Sequence, residues 1–203
     1  MQVRGVNYII IGMLGFVAGF LSDWVSFKGI RVAKLVMWGL SYGLILYALV
    51  MLCLTPDRIP VPGWLSFLGV AISGLSGLLL VYSLFVSLPA KTTYVTDDGG
   101  YELVRTGMYA LVRHPGVLWL AFLLIGLVLA TKSRLLLFAL PVWMLLDVLW
   151  VILQEKFFFG RMFPDYDSYR RETPMVIPNR KSLGVFFSRL KQAKRGEANA
   201  RGA

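Results

Sequence analysis

Apolar residues gather in five runs, at about Val6–Leu21, Leu35–Leu54, Leu65–Leu88, Val117–Ala130 and Leu135–Leu153. About 20 consecutive apolar residues make a helix long enough to cross the hydrocarbon core of a bilayer, so each run is expected to be a transmembrane helix, the fourth a short one. The breaks between them are helix terminators. Thr55-Pro56-Asp57-Arg58-Ile59-Pro60-Val61-Pro62-Gly63 is proline-rich and cannot continue a helix, and Thr131-Lys132-Ser133-Arg134 leaves room only for a tight turn. The expected fold is all-α: about five transmembrane helices, the last two forming a hairpin, followed by an interfacial C-terminal segment.

Composition narrows the class. Counted on the residue set used for soluble domains, which average about 45–50% apolar, the 203 residues reach roughly 62%. Charged residues make up 16% and mean hydropathy is +0.68. These values exclude a soluble globular enzyme, a disordered tail and a coiled coil. Arg4 precedes the first run, but no clear small-x-small cleavage site follows Phe20-Leu21, so that helix is expected to be retained.

The formal charge of +10 at first suggests nucleic acid, yet no groove-reading module accompanies it. Eleven of the 21 Lys and Arg lie in residues 154–203. Placing the C-terminus in the cytoplasm puts 17 cations on that side and leaves Arg4, Arg58, Lys132 and Arg134 on the other, the bias of the positive-inside rule. The expectation is a plasma or inner membrane protein with its N-terminus outside, and with the polar segments 89–116 and 154–203 together on the cytoplasmic face. The stretch Arg180–Arg195 sets Val185, Phe186, Phe187 and Leu190 among basic residues, as an amphipathic helix on anionic lipid or a solvated basic tail would. Gly15-x-x-x-Gly19 and Gly39-x-x-x-Gly43 are read as helix-packing spacings.

Little here suits a metal. Cys53 stands alone inside an apolar run and His114 is the single histidine, so any site would need carboxylates for its remaining ligands, and no metal is expected. His114 lies in Arg113-His114-Pro115-Gly116 at the start of the fourth run. Pro115 suits a first helical turn and Arg113 could simply snorkel to headgroups. The lead-in from Tyr101 to Tyr109, polar, aromatic and glycine-containing, is unusual before a membrane helix. At the end of the fifth run Glu155 opposes the helix macrodipole, which calls for a cationic partner: Lys156, Arg161 or a ligand. Asp147 lies within the run itself, where an acid is costly and faces an interior or a cavity. It is either a structural hydrogen-bonding residue or part of an acceptor site.

Gly107-Met108-Tyr109-x-x-x-Arg113-His114-Pro115, a helical hairpin, then Glu155, Tyr166, Tyr169 and Pro178, resemble the isoprenylcysteine carboxyl methyltransferase and phospholipid methyltransferase superfamily over about residues 94–178. The resemblance implies a membrane enzyme moving a methyl group from S-adenosylmethionine to a lipid or lipophilic acceptor. It assigns the cofactor to Tyr101, Leu103, Val104, Tyr109, His114, Pro115, Gly116, Val117 and Glu155. Arg113, Asp147 and Glu155 are the expected catalytic residues, with Asp147 favouring an amine acceptor or taking its proton. The implied organisation is N-terminal helices in 1–90, a catalytic region in 91–178 and a basic tail in 179–203.

Three positions depart from the pattern: Lys156 replaces a second glutamate, Val117 replaces a frequent aromatic, and Val151 stands where the prenylcysteine branch has an arginine facing its substrate. The last disfavours an anionic α-carboxylate and places an amino-headgroup phospholipid ahead of a prenylated thiol. A sterol-reductase-like NADPH enzyme and a non-catalytic protein retaining the fold are the alternatives.

Overall fold

The computed structural model describes residues 2–27, 31–87 and 103–201, with side chains for 5–25, 32–87 and 103–191. The fold is all-α. Helices α1 (Gln2–Phe27), α2 (Arg31–Leu54) and α3 (Gly63–Val81) come first, α3 running on into a π turn at Tyr82–Val86. The short α4 (Met108–Leu111) precedes α5 (Pro115–Thr131) and α6 (Arg134–Gln154). A second π turn, Glu155–Phe159, carries α6 on to Gly160–Met162, and α7 (Tyr166–Glu172) and α8 (Arg180–Arg201) complete the order.

Among the described residues four segments, Gly5–Val25, Val32–Leu54, Gly63–Val86 and Arg134–Met162, are long and apolar enough to cross a membrane. At 17 residues α5 is shorter, at the lower end of the roughly 17–25 that a span requires. Val32, Phe67 and Leu78 turn large apolar surfaces outward, as helices do whose solvent is lipid. The amphipathic reading of the tail holds in one respect: α8 is a helix.

The chain forms two compact units, one of residues 1–77 and 120–158, the other of 78–119 and 159–203. In the first, Phe16 of α1, Leu52 of α2, Leu124 of α5 and Leu136 and Trp143 of α6 are buried together. Lipid chains are as apolar as leucine, so close packing and polar contacts must hold such helices together. The Trp143 indole supplies both, fully buried and donating Nε1–H to the Ile9 carbonyl at 3.2 Å. Gly69 and Gly126 supply the closest approach. A Cβ on Gly126 would lie 2.6 Å from Ser73 N, and one on Gly69 would lie 2.7 Å from Gly126 O.

The paired spacings read as packing sites divide. Gly15 and Gly19 do pack, against Ile45 and Ser41 of α2 and, for Gly19, Trp150 of α6, whereas Gly39 and Gly43 have open space where a Cβ would stand. The second pair is therefore no packing motif in this unit; it lies on the exposed side of α2.

At one end of this unit the proline-rich loop is bonded to the 132–133 turn. Ile59 N donates to Lys132 O at 2.8 Å, Arg134 N to Asp57 O at 3.1 Å, and Ser133 Oγ to Leu52 O at 2.7 Å. Ser133 also caps α6, accepting from Leu136 N at 3.2 Å. The two loops read from sequence as sharing a membrane face do lie side by side.

Candidate functional site

In the second unit the Arg-His-Pro segment is held by its main chain. Arg113 N donates to Pro174 O at 2.9 Å and His114 N to Met175 O at 3.0 Å, which fixes the residues just before α5 against the 174–175 segment. Gly107 makes the preceding bend at φ +57° and ψ −133°, a conformation reserved for glycine, and opens α4. The Arg113 guanidinium donates to Arg170 O at 2.8 Å and Thr173 O at 2.6 Å. A cation on the last carbonyls of α7 suits that helix's dipole.

His114 is buried, its ring stacked on Phe159 with 14° between planes and 5.9 Å between centroids. Phe159 continues into a cluster with Phe163, Tyr166 and Tyr169, against which Leu103 packs. Tyr169 Oη donates to the Tyr109 carbonyl at 2.7 Å, and Tyr109 Oη to Ser83 O at 3.3 Å, within the first π turn. Four expected site residues, Leu103, Tyr109, Arg113 and His114, are thus tied to one aromatic and main-chain framework. Pro115 is fully buried and Val117 nearly so, while Gly116 has Leu84 beside it. Val104 is half-buried. Tyr101 lies outside the described residues.

Asp147 and Glu155 belong to the first unit. Leu136, Ala139, Trp143, Asp147 and Val151 form the buried stripe of α6. Asp147 is 8% exposed, and its Oδ2 has no hydrogen-bond partner among the described residues. Glu155 is half-buried and begins the second π turn, its N–H shared between the carbonyls of Ile152 and Val151. Widened turns of this kind redirect side chains and recur at functional sites. Lys156 stands over the Phe157 ring at 5.5 Å.

A further carboxylate escaped the sequence reading. Asp23 of α1 accepts from Trp150 Nε1 at 2.6 Å and Gln154 Nε2 at 2.7 Å, both on α6. The signal was an acid closing an apolar run, the same cost that marked Asp147. The π turns left no comparable trace, since neither Tyr82–Val86 nor Glu155–Phe159 holds a residue type that distinguishes a widened turn from an α-turn.

Comparison with known proteins adds the context. The nickel-cobalt-cadmium resistance protein NccN of Alcaligenes xylosoxydans xylosoxydans is 34% identical over 95 residues, covering 47% of this chain and 43% of that protein. The chain therefore matches less than half the length of this curated relative. No solved structure matches. The profile of the phospholipid methyltransferase family matches residues 64–166, half of the chain, taking in α3 through α6, the Arg-His-Pro segment, Asp147 and Glu155. The chain belongs to the phospholipid methyltransferase family.

Proposed function

We propose that the protein transfers a methyl group from S-adenosylmethionine to a lipid-like acceptor, an amino-headgroup phospholipid before an isoprenoid compound, at the inner leaflet. The observation that carries this reading is the Arg-His-Pro segment, held at both amides by 174–175, inside the span that matches the family. Five spans with an outside N-terminus, the last two forming a hairpin, and a cytoplasmic catalytic region complete the proposal.

The residues present suit the cofactor's mixed chemistry. Its flat nucleoside needs apolar and aromatic cover, which Leu103, Tyr109 and the His114–Phe159 stack offer in kind. Its amino acid end needs charge complements: Glu155 is assigned the α-amino group, and His114 with the amides of Gly116 and Val117 the carboxylate. Tyr101, Val104 and Pro115 complete the assigned set. Bound there, S-adenosylmethionine supplies an already activated methyl electrophile on its sulfonium.

The chain's remaining tasks are alignment and exclusion of water. Arg113 acts by positioning: its two bonds to the end of α7 hold the segment that carries His114. Asp147, buried with one oxygen unpartnered among the described residues, is assigned to attract an amine acceptor and take its proton.

Calorimetric titration of detergent-purified protein with S-adenosylmethionine and, separately, NADPH tests the reading. Binding of the methyl donor alone supports it, NADPH binding points to a reductase, and binding of neither points to a non-catalytic protein. Labelled methyl donor with a total lipid extract then identifies the acceptor fraction.

A further inference from the structure

A separate cavity of about 130 Å³ lies wholly within the second unit, among the segment before α4, α7 and the first turns of α8. It is far larger than the roughly 10–15 Å³ that admits one water. Arg105, Lys181 and Arg189 line it with a single carboxylate, Glu172, and with the hydroxyl residues Thr173 and Ser182.

The cations are placed by the fold. Arg105 donates to Asp165 O at 2.9 Å, pairs with the Asp165 carboxylate at 3.8 Å and lies over the Tyr169 ring. Asp165 is 84% exposed, so solvent weakens its hold on the guanidinium charge. Arg189 donates to the Arg105 carbonyl at 2.6 Å, drawing α8 onto the same wall. Asn179 and Ser182 cap each other at the start of α8, Ser182 N donating to Asn179 Oδ1 at 2.8 Å and Asn179 N to Ser182 Oγ at 3.1 Å. That exchange sets the first turn, which carries Lys181. The excess of cations is therefore built into a concave wall.

We propose that this cavity binds a phosphate group, the dianionic or diester phosphate of a lipid headgroup or free phosphate. Arginine and lysine donors lining one wall, with the hydroxyl residue Thr173 beside them, match the oxygens of such a group, while the Ser182 hydroxyl donates to Asn179 O at 3.1 Å and serves the cap. The opposite side of α8 bears on the membrane rather than on the cavity. Leu183, Phe187 and Leu190, spaced four and three residues apart, form an exposed apolar stripe, the form of a helix lying in the headgroup layer. The inference does not depend on methyl transfer, and its test needs no methyl donor.

Full-length protein in zwitterionic detergent is titrated calorimetrically with inorganic phosphate and with dihexanoyl-phosphatidylglycerol below its micellar concentration. Binding of both with similar affinity identifies the phosphate group as sufficient, and binding of the lipid alone identifies a headgroup site; either supports the proposal. Lys181→Gln combined with Arg189→Gln is expected to weaken binding at least tenfold, and Glu172→Gln to tighten it. Lys181→Gln alone, which leaves the Arg189 bond in place, weakens it severalfold. Arg180→Gln with Lys191→Gln removes the same charge from α8 outside the cavity and leaves affinity unchanged. Binding of neither ligand, or equal weakening by the Arg180 and Lys191 pair, overturns the proposal.

Discussion

The Tyr169 hydroxyl donates to the main-chain oxygen of Tyr109 at 2.7 Å, joining positions sixty residues apart in the chain. It fastens α7 to α4, just ahead of the Arg-His-Pro segment, so a residue of the aromatic cluster also sets the main chain of an assigned cofactor residue. Tyr169→Phe keeps the ring and removes the donor. A net loss of about 1 kcal/mol is expected, seen as a lower midpoint in thermal unfolding together with weaker methyl-donor binding. Unaltered binding in a destabilised variant would make the bond structural only.

Gly107→Ala isolates backbone strain. The nearest atom to a Cβ there is Ser87 Oγ at 3.9 Å, so space is ample and the cost comes from φ +57° with ψ −133°. About 1–3 kcal/mol is expected. Denaturation by urea in mixed micelles measures it, and Gly107→Asn should fare no better because the ψ value lies outside the left-handed helical region. A neutral Gly107→Ala would show that this bend relaxes freely.

Asp147 separates stability from function. Its buried carboxylate has an oxygen with no hydrogen-bond partner among the described residues, so Asp147→Leu is expected to raise the unfolding midpoint while turnover disappears. Asp147→Asn keeps the shape and removes the charge, and is expected to abolish methyl transfer while leaving donor affinity intact. Full turnover in Asp147→Asn would remove it from the chemistry.

Glu155→Ala tests the assigned ion pair with the donor's amino group. Loss of one charged hydrogen bond, about 1.4 kcal/mol, corresponds to at least tenfold weaker binding by calorimetry. Equal affinity in wild type and variant would release Glu155 from the site.

The helices were legible because spans are written in long apolar runs bounded by proline, serine and charge. Two kinds of feature were not. Gly69 and Gly126 form no Gly-x-x-x-Gly pair, their neighbours at that spacing being Ser73 and Ala130, and they mark the point where two backbones meet, whereas the paired Gly39 and Gly43 meet nothing within this unit. Arg113 stands out through its motif, and the carbonyls it grips lie 57 and 60 positions away, partners of which a motif carries no record. His114 stands out by its motif and polar lead-in and Asp147 by the cost of an acid inside an apolar run, and both are buried. The same cost applies to Asp23, less conspicuous because it closes a run rather than interrupting one.

The Gly69–Gly126 contact also bears on the order in which the chain is made. A 17-residue helix has little length to spare when it partitions into lipid alone. The glycine face of α3 leaves the ribosome more than forty residues earlier than its counterpart on α5, so the short helix emerges when its docking partner has already been synthesised. Biogenesis, as well as the finished bundle, then depends on two residues that have no side chains.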